Sequence, residues 1–227
     1  MERKIRTFLC VVLAAMVVCT GCAASGQKET KKEAVKTLPK YEELSSLVGL
    51  TMEDVLKTKQ WQQSDLTEAA IGSYETPLAV RYEEVAFNVQ VGFDVFTEKL
   101  NTVSYVAEYT ADAEGAANAV MAIAGKLEKE LGKHDSTTHD SSELKKDALI
   151  ALFKEKSVSR RYMWDLTTVA TKEHAEYIKD LEGLDTHENL GRMLYCLALE
   201  LSYNEQTQTA YIIISYGVRP KFHMNRT

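Results

Sequence analysis

The sequence predicts an α+β fold, an antiparallel sheet built from hairpins and packed against a few helices. Three observations carry this. Apolar residues alternate over 86–96 and again in the run that follows, the period-two pattern of strands with one buried and one wetter face. The same alternation returns near the C-terminal end in two runs separated by a short polar turn. Between these pairs, residues 112–131 take the period of a helix. Strands joined by short turns, with helices in separate blocks, favour α+β over a parallel α/β sheet.

The elements follow in order. Thr51 is placed to cap a short helix reaching about Lys59, with Asp54 three residues on and Leu50 and Val55 as a hydrophobic staple. From Trp61 to Pro77, Ser64-Asp65-Leu66 can start a turn, and Gly72 and Pro77 punctuate the stretch. In the first hairpin Phe87, Val89, Val91, Phe93 and Val95 share the inner face. Thr97-Glu98-Lys99 is the link, and Val103, Tyr105, Ala107 and Tyr109 share a face on the return.

The helix over 112–131 aligns Ala113, Ala117, Val120, Ala124, Leu127 and Leu131 in one stripe, with Gly132 as its stop. Its alanines allow close approach to a sheet. After a polar loop at 133–140, Asp140 and Glu143 form a capping-box pattern for a helix whose face is Leu144, Ala148, Leu152 and Phe153. Residues 161–168 read as a strand with Tyr162, Trp164 and Leu166 on one side, and 171–183 as a helix, taken as an inserted segment. In the closing hairpin Tyr195, Leu197, Leu199, Leu201 and Tyr203 alternate before Asn204-Glu205-Gln206-Thr207. Ala210, Ile212, Ile214, Tyr216 and Val218 then alternate on the return. Cys196 and Ala198 fall on the opposite face.

The N-terminal residues carry a different signal. A cationic stretch, Arg3, Lys4 and Arg6, precedes an uninterrupted apolar run from Phe8 to Val18. Eleven residues give roughly 16 Å of helix against a hydrocarbon core of about 30 Å, which fits a signal peptide and not an ordinary membrane span. The run ends at Cys19-Thr20-Gly21-Cys22, which resembles the bacterial lipobox, with Cys19 where Leu is usual. The resemblance implies thioether lipidation of Cys22, cleavage after Gly21 and acylation of the new amino terminus. More than one acyl chain matters, because a single chain binds membranes only marginally. The expected organisation is a signal peptide at 1–21, the lipidated cysteine and a flexible tether at 22–40, and one α+β domain at 41–227. The expected address is the extracytoplasmic face of a cell membrane, with membrane lipid as the partner of Cys22.

The tether reading rests on residues 23–40, small, polar and charged with five lysines (Lys28, Lys31, Lys32, Lys36, Lys40), which bury too little apolar surface to offset their ordering entropy. Eighteen such residues span on the order of 20–25 Å. Three of the 27 basic and one of the 33 acidic residues precede Cys22, leaving 24 and 32, a net charge of −8. An acidic body argues against a nucleic-acid partner, which needs a cationic face to release counterions. With Cys10 and Cys19 removed and Cys22 acylated, Cys196 stands alone, so an ordinary core and not a disulfide must hold the fold.

The order of a short capped helix, a hairpin rich in Phe, Val and Tyr, a long helix ending Leu127-Glu-Lys-Glu-Leu131-Gly132, a Trp-bearing strand and a Tyr-rich closing hairpin is similar to a group of Gram-positive lipoproteins. The bodies of these proteins resemble the small helix-plus-sheet domains of β-lactamase inhibitory protein and of outer-membrane assembly lipoproteins. The resemblance covers roughly residues 44–218, is one of layout, and carries over no functional residue.

Chemical motifs are sparse. Ser142-Glu143-Leu144-Lys145 fits S-x-x-K, but S-D-N and K-T-G are missing and the segment already serves as a helix start. His134-Asp135 and His139-Asp140 are the candidate metal donors, two imidazoles and two carboxylates within seven residues, in a loop that does not by itself impose convergence. His174 and Glu176 match H-x-E, with no P-C-x-x-C to follow. Eleven tyrosines lie mostly on strands, among them Tyr105, Tyr109, Tyr162, Tyr195, Tyr203, Tyr211 and Tyr216. They either fill the core or line a sheet face left open for binding. No catalytic residue and no cofactor is assigned. The favoured reading is a non-catalytic, membrane-anchored binding or interaction module of the cell envelope. The alternatives are a hydrolase-like envelope enzyme without a linear motif, or a lipoprotein that binds a small ligand or metal.

Overall fold

A computed structural model describes residues 33–35, 42–82, 84–137, 145–153, 159–184 and 192–220. Its strands are β1 (Glu33–Val35), β2 (Thr67–Ala70), β3 (Ser73–Tyr82), β4 (Val85–Phe93), β5 (Leu100–Thr110), β6 (Ser136–Thr137), β7 (Ser159–Asp165), β8 (Met193–Asn204) and β9 (Thr209–Pro220). Its helices are α1 (Glu42–Ser45), α2 (Met52–Lys59), α3 (Ala113–Leu131), α4 (Lys146–Leu152) and α5 (Lys172–Glu182), with 3-10 turns at Gln63–Asp65 and Thr167–Val169. Among the described residues the strands form one nine-stranded sheet in the order β1-β3-β4-β5-β9-β8-β7-β6, with β2 also on β3. All its pairings are antiparallel except that of β1 with β3. The α+β class holds.

The alternations expected from the sequence decide which face is buried. Val89 on β4 opposes Tyr105 on β5, which opposes Ile214 on β9, which opposes Leu199 on β8, and all four are buried. This row and its neighbours form the inner face of the main core, and every buried apolar helix residue joins the same cluster. On α3 the stripe is wider than the period predicted, since Ala116, Ala119 and Ile123 are buried beside Ala117, Val120, Ala124 and Leu127. Asp112 caps α3 by accepting from the Gly115 amide at 2.8 Å, and Gly132, at φ +83°, ends it as expected. Thr51 likewise caps α2, its hydroxyl accepting from the Asp54 amide at 3.3 Å.

Several expectations need correction. Val95 does not share the inner face: β4 ends at Phe93, and Val95 is exposed in the turn. The stretch from Trp61 to Pro77 contains β2 and the start of β3. Pro77 lies inside a strand because the register with β4 breaks between Glu75 and Ala79, where a residue without an N–H is tolerated. Thr76 bridges that break, donating to the Val89 carbonyl at 3.0 Å and accepting from the Leu78 amide at 3.2 Å. On α4 the buried positions are Leu149 and Leu152, while Ala148 is only half-buried; the proposed cap at Asp140 and Glu143, and Leu144, lie outside the described residues. The 171–183 segment is no insertion, since α5 puts Tyr177 and Leu181 into the main core. The supposed tether also contains structure, because Glu33–Val35 pairs in parallel with Leu78–Val80.

Candidate functional site

The sheet has a second face on which no described helix packs. Its centre is built by alternate residues of β7, β8 and β9: Met163, Cys196, Ala198 and Ser215, each at most 1% exposed. Met163 opposes Ala198, and Ala198 opposes Ser215. A Cβ on Gly217 would lie 2.5 Å from the Asn101 carbonyl oxygen of neighbouring β5, so only glycine fits there.

Beside this patch three charged residues converge from three adjacent strands. Glu200 on β8 accepts from Arg161 on β7 at 2.7 Å through Oε2 and from Arg219 on β9 at 2.5 Å through Oε1. Ser215 donates to the same Oε1 at 3.2 Å and accepts from Arg219 Nη2 at 2.8 Å. The three charged side chains are only 20–25% exposed. Burial pushes the Glu200 carboxyl up, but the two guanidiniums, with hydrogen bonds from Arg161 and Ser215, outweigh it and hold the group below its usual range. The cluster ties three strands together.

Cys196 sits in the same patch, donating to the Gly217 carbonyl at 3.6 Å. Burial pushes its thiol up to about 12, which keeps it protonated and inert, as a packing thiol should be.

The residues singled out from the sequence do not assemble into a second site. Cys22, His139 and Ser142 lie outside the described residues. Lys145 is exposed at the N-cap of α4. His134 is half-buried against the rings of Tyr162 and Trp164, at centroid distances of 5.3 and 6.2 Å, and the adjacent Asp135 carboxylate accepts from the Asp165 amide. Among the described residues no group of three His, Cys, Asp or Glu side chains is placed to hold a metal ion.

His174 is structural. Its Nδ1 accepts from the Thr171 amide at 3.1 Å while the Thr171 hydroxyl accepts from the His174 amide, a capping box with imidazole in the place usually held by Glu. Its Nε2 donates to the Ser45 carbonyl at 2.8 Å, tying α5 to α1. Glu176 points elsewhere and pairs with Lys172 at 3.4 Å.

The tyrosines divide as their strand positions dictate. Tyr105, Tyr162, Tyr195 and Tyr216 are buried in the main core, Tyr109 and Tyr203 lie half-buried, and Tyr211 alone of the seven is on the helix-free face, opposite Glu108 and Ser202. The residues that the sequence left unremarked are Arg161, Glu200, Arg219 and Ser215. Their signal was a polar residue on the outer phase of an otherwise apolar strand, which is visible at Glu200 but silent about partners on other strands.

No protein-family model, curated protein or solved structure matches this chain.

Proposed function

We propose that this chain is a lipid-anchored protein of the bacterial cell envelope, matured at Cys22, whose α+β body acts as a non-catalytic binding module. The observation that carries the anchor is the succession of Arg3, Lys4 and Arg6, the apolar run Phe8–Val18, and Cys19-Thr20-Gly21-Cys22. The resemblance in layout to Gram-positive lipoproteins points the same way. Binding in place of catalysis is supported by the chemistry of the groups on the helix-free face: Glu200 is ionised and held by two guanidiniums, and the Cys196 thiol is protonated and buried. Neither is poised as a base or nucleophile. On that face the charged cluster, with Arg161, Glu200 and Arg219 20–25% exposed, is the part open to a partner, the small and sulfur-bearing patch beside it being buried.

The test is Cys22→Ser expressed in a bacterial host. The expected result is an unprocessed precursor that takes up no labelled fatty acid, beside a wild type that is shortened and labelled. A variant labelled and processed like the wild type would remove the lipoprotein assignment.

A further inference from the structure

Where the β8–β9 hairpin meets the start of α3, the surface holds a slot of about 300 Å³. Three aromatic side chains line it, Tyr109 of β5, Tyr203 of β8 and Phe153 at the end of α4, together with Asp112, Gln208 and Ala210. Strand register sets its width. Tyr109 and Tyr203 both oppose Ala210 of β9, one from either side, so the two tyrosines share a sheet face with only a methyl group between them. Two strand spacings put their Cα atoms about 10 Å apart.

Backbone bonds hold this frame. The Ala111 amide donates to the Gln208 carbonyl at 2.9 Å, joining the hairpin turn to the entry of α3. Both residues keep left-handed backbone, at φ +55° and +51°, a conformation that persists in non-glycine residues only where the surroundings impose it. Beside them the Thr110 and Thr209 hydroxyls meet at 3.1 Å.

Asp112 supplies the charge. Its Oδ1 is engaged by the Gly115 amide, and a Cβ on Gly115 would collide with the carboxylate, so glycine there gives it room. The N-terminus of α3 contributes about half a positive charge, which leaves this end of the slot net negative. Among the described residues that line the slot none is Lys, Arg or His, and Lys146 near the first turn of α3 is paired with Glu114 at 2.8 Å. Burial first, and then the Asp112 charge, push the Tyr109 hydroxyl above its ordinary value, which keeps that ring neutral.

Aromatic faces attract cations through their quadrupole, and an adjacent carboxylate adds a counter-charge. An anion would meet Asp112, and a neutral apolar solute would leave the carboxylate unused. The volume lies at the small end of ligand pockets, room for a substituted ammonium group with a short tail and not for a folded partner.

We infer that this slot binds a small organic cation, an alkylated ammonium compound held between Tyr109 and Tyr203 with Asp112 as counter-charge. Both tyrosines pack against the main core, so the slot lies on the helix-bearing side of the sheet. It depends neither on the charged cluster of the other face nor on the anchor at Cys22.

The test is calorimetric titration of the full-length protein, in a maltoside detergent that carries no ammonium group, with choline and with its neutral isostere 3,3-dimethylbutan-1-ol. Choline should saturate the protein by about 10 mM and bind at least about tenfold tighter than the isostere, the margin of a partly desolvated cation–π contact. Asp112→Asn keeps the helix cap, since Asn caps as well as Asp, and should weaken choline about threefold to tenfold while leaving the isostere unchanged. Tyr203→Leu should weaken choline at least about tenfold and Tyr203→Phe should not, because the π face is retained. Urea midpoints show whether each variant is folded; if Tyr203→Leu is not, Asp112→Asn decides. No saturation by choline, equal affinity for the isostere, or binding indifferent to Asp112→Asn would each overturn the proposal and leave the anchor standing.

Discussion

The imidazole of His174 lies flat on the ring of Tyr195, with centroids 4.1 Å apart and planes 22° from parallel. One histidine thus stacks α5 on β8, caps α5 through Thr171 and holds α1 through the Ser45 carbonyl. The cap needs the neutral ring with its proton on Nε2, because a proton on Nδ1 would abolish the acceptor that the Thr171 amide uses, whereas the stack and the bond to Ser45 survive protonation.

That requirement has a pH signature. Burial lowers the His174 pKa below its ordinary 6.5, against the bond to Ser45 and the nearby Glu173, which act upward. The unfolded chain therefore takes up this proton first as the pH falls. Stability from His174 is complete above about pH 6.5 and is lost progressively below it, down to the folded value. Urea midpoints of wild type and His174→Gln, measured from pH 8 to pH 5, should converge toward acid. Parallel curves would show that the histidine titrates alike in both states.

Glu200 gives the opposite kind of test, a charge that the fold requires. Glu200→Gln removes the carboxylate that Arg161 and Arg219 share, and should cost roughly 2–3 kcal/mol, less than for a fully buried pair because the group keeps a fifth of its exposure. Its lowered pKa means that the stabilisation is present above about pH 4.5 and lost as the pH falls through the folded value. Chemical unfolding at neutral pH and again near pH 3 measures both statements. A loss under about 0.5 kcal/mol at neutral pH would reduce the cluster to an ordinary surface pair.

The two faces of β4 can be compared through adjacent residues. Val91 is fully buried opposite Val103, whereas Gln90 is half-buried on the helix-free face opposite Ser104 and Glu75. Val91→Asp puts a carboxylate into the main core and should cost about 3–5 kcal/mol, enough to unfold a marginal domain. Gln90→Asp should cost about 1 kcal/mol, chiefly through the like charge of Glu75 across the strand. Equal shifts of the unfolding midpoint would contradict the two-faced strand.

What the sequence determined by itself is local. The side-chain phase along 87–91, 103–107, 195–201 and 210–218, the cap at Thr51 and the stop at Gly132 depend on neighbours a few residues away, and a period of two or of 3.6 or a capping residue records them directly. The proposed anchor at Cys22 is legible for the same reason, being a contiguous run. Tertiary structure decided what depends on register between distant segments. Pro77 is allowed within β3 only because a break against β4 spares its missing donor, and Glu33–Val35 becomes a strand only because the edge of β3 is open to it. Arg161, Glu200 and Arg219 form a cluster because three strands align them, and Val95 is exposed because β4 ends at Phe93, where the chain turns. Such pairings are set by which backbone lies alongside which, and a one-residue slip would reassign every partner and face.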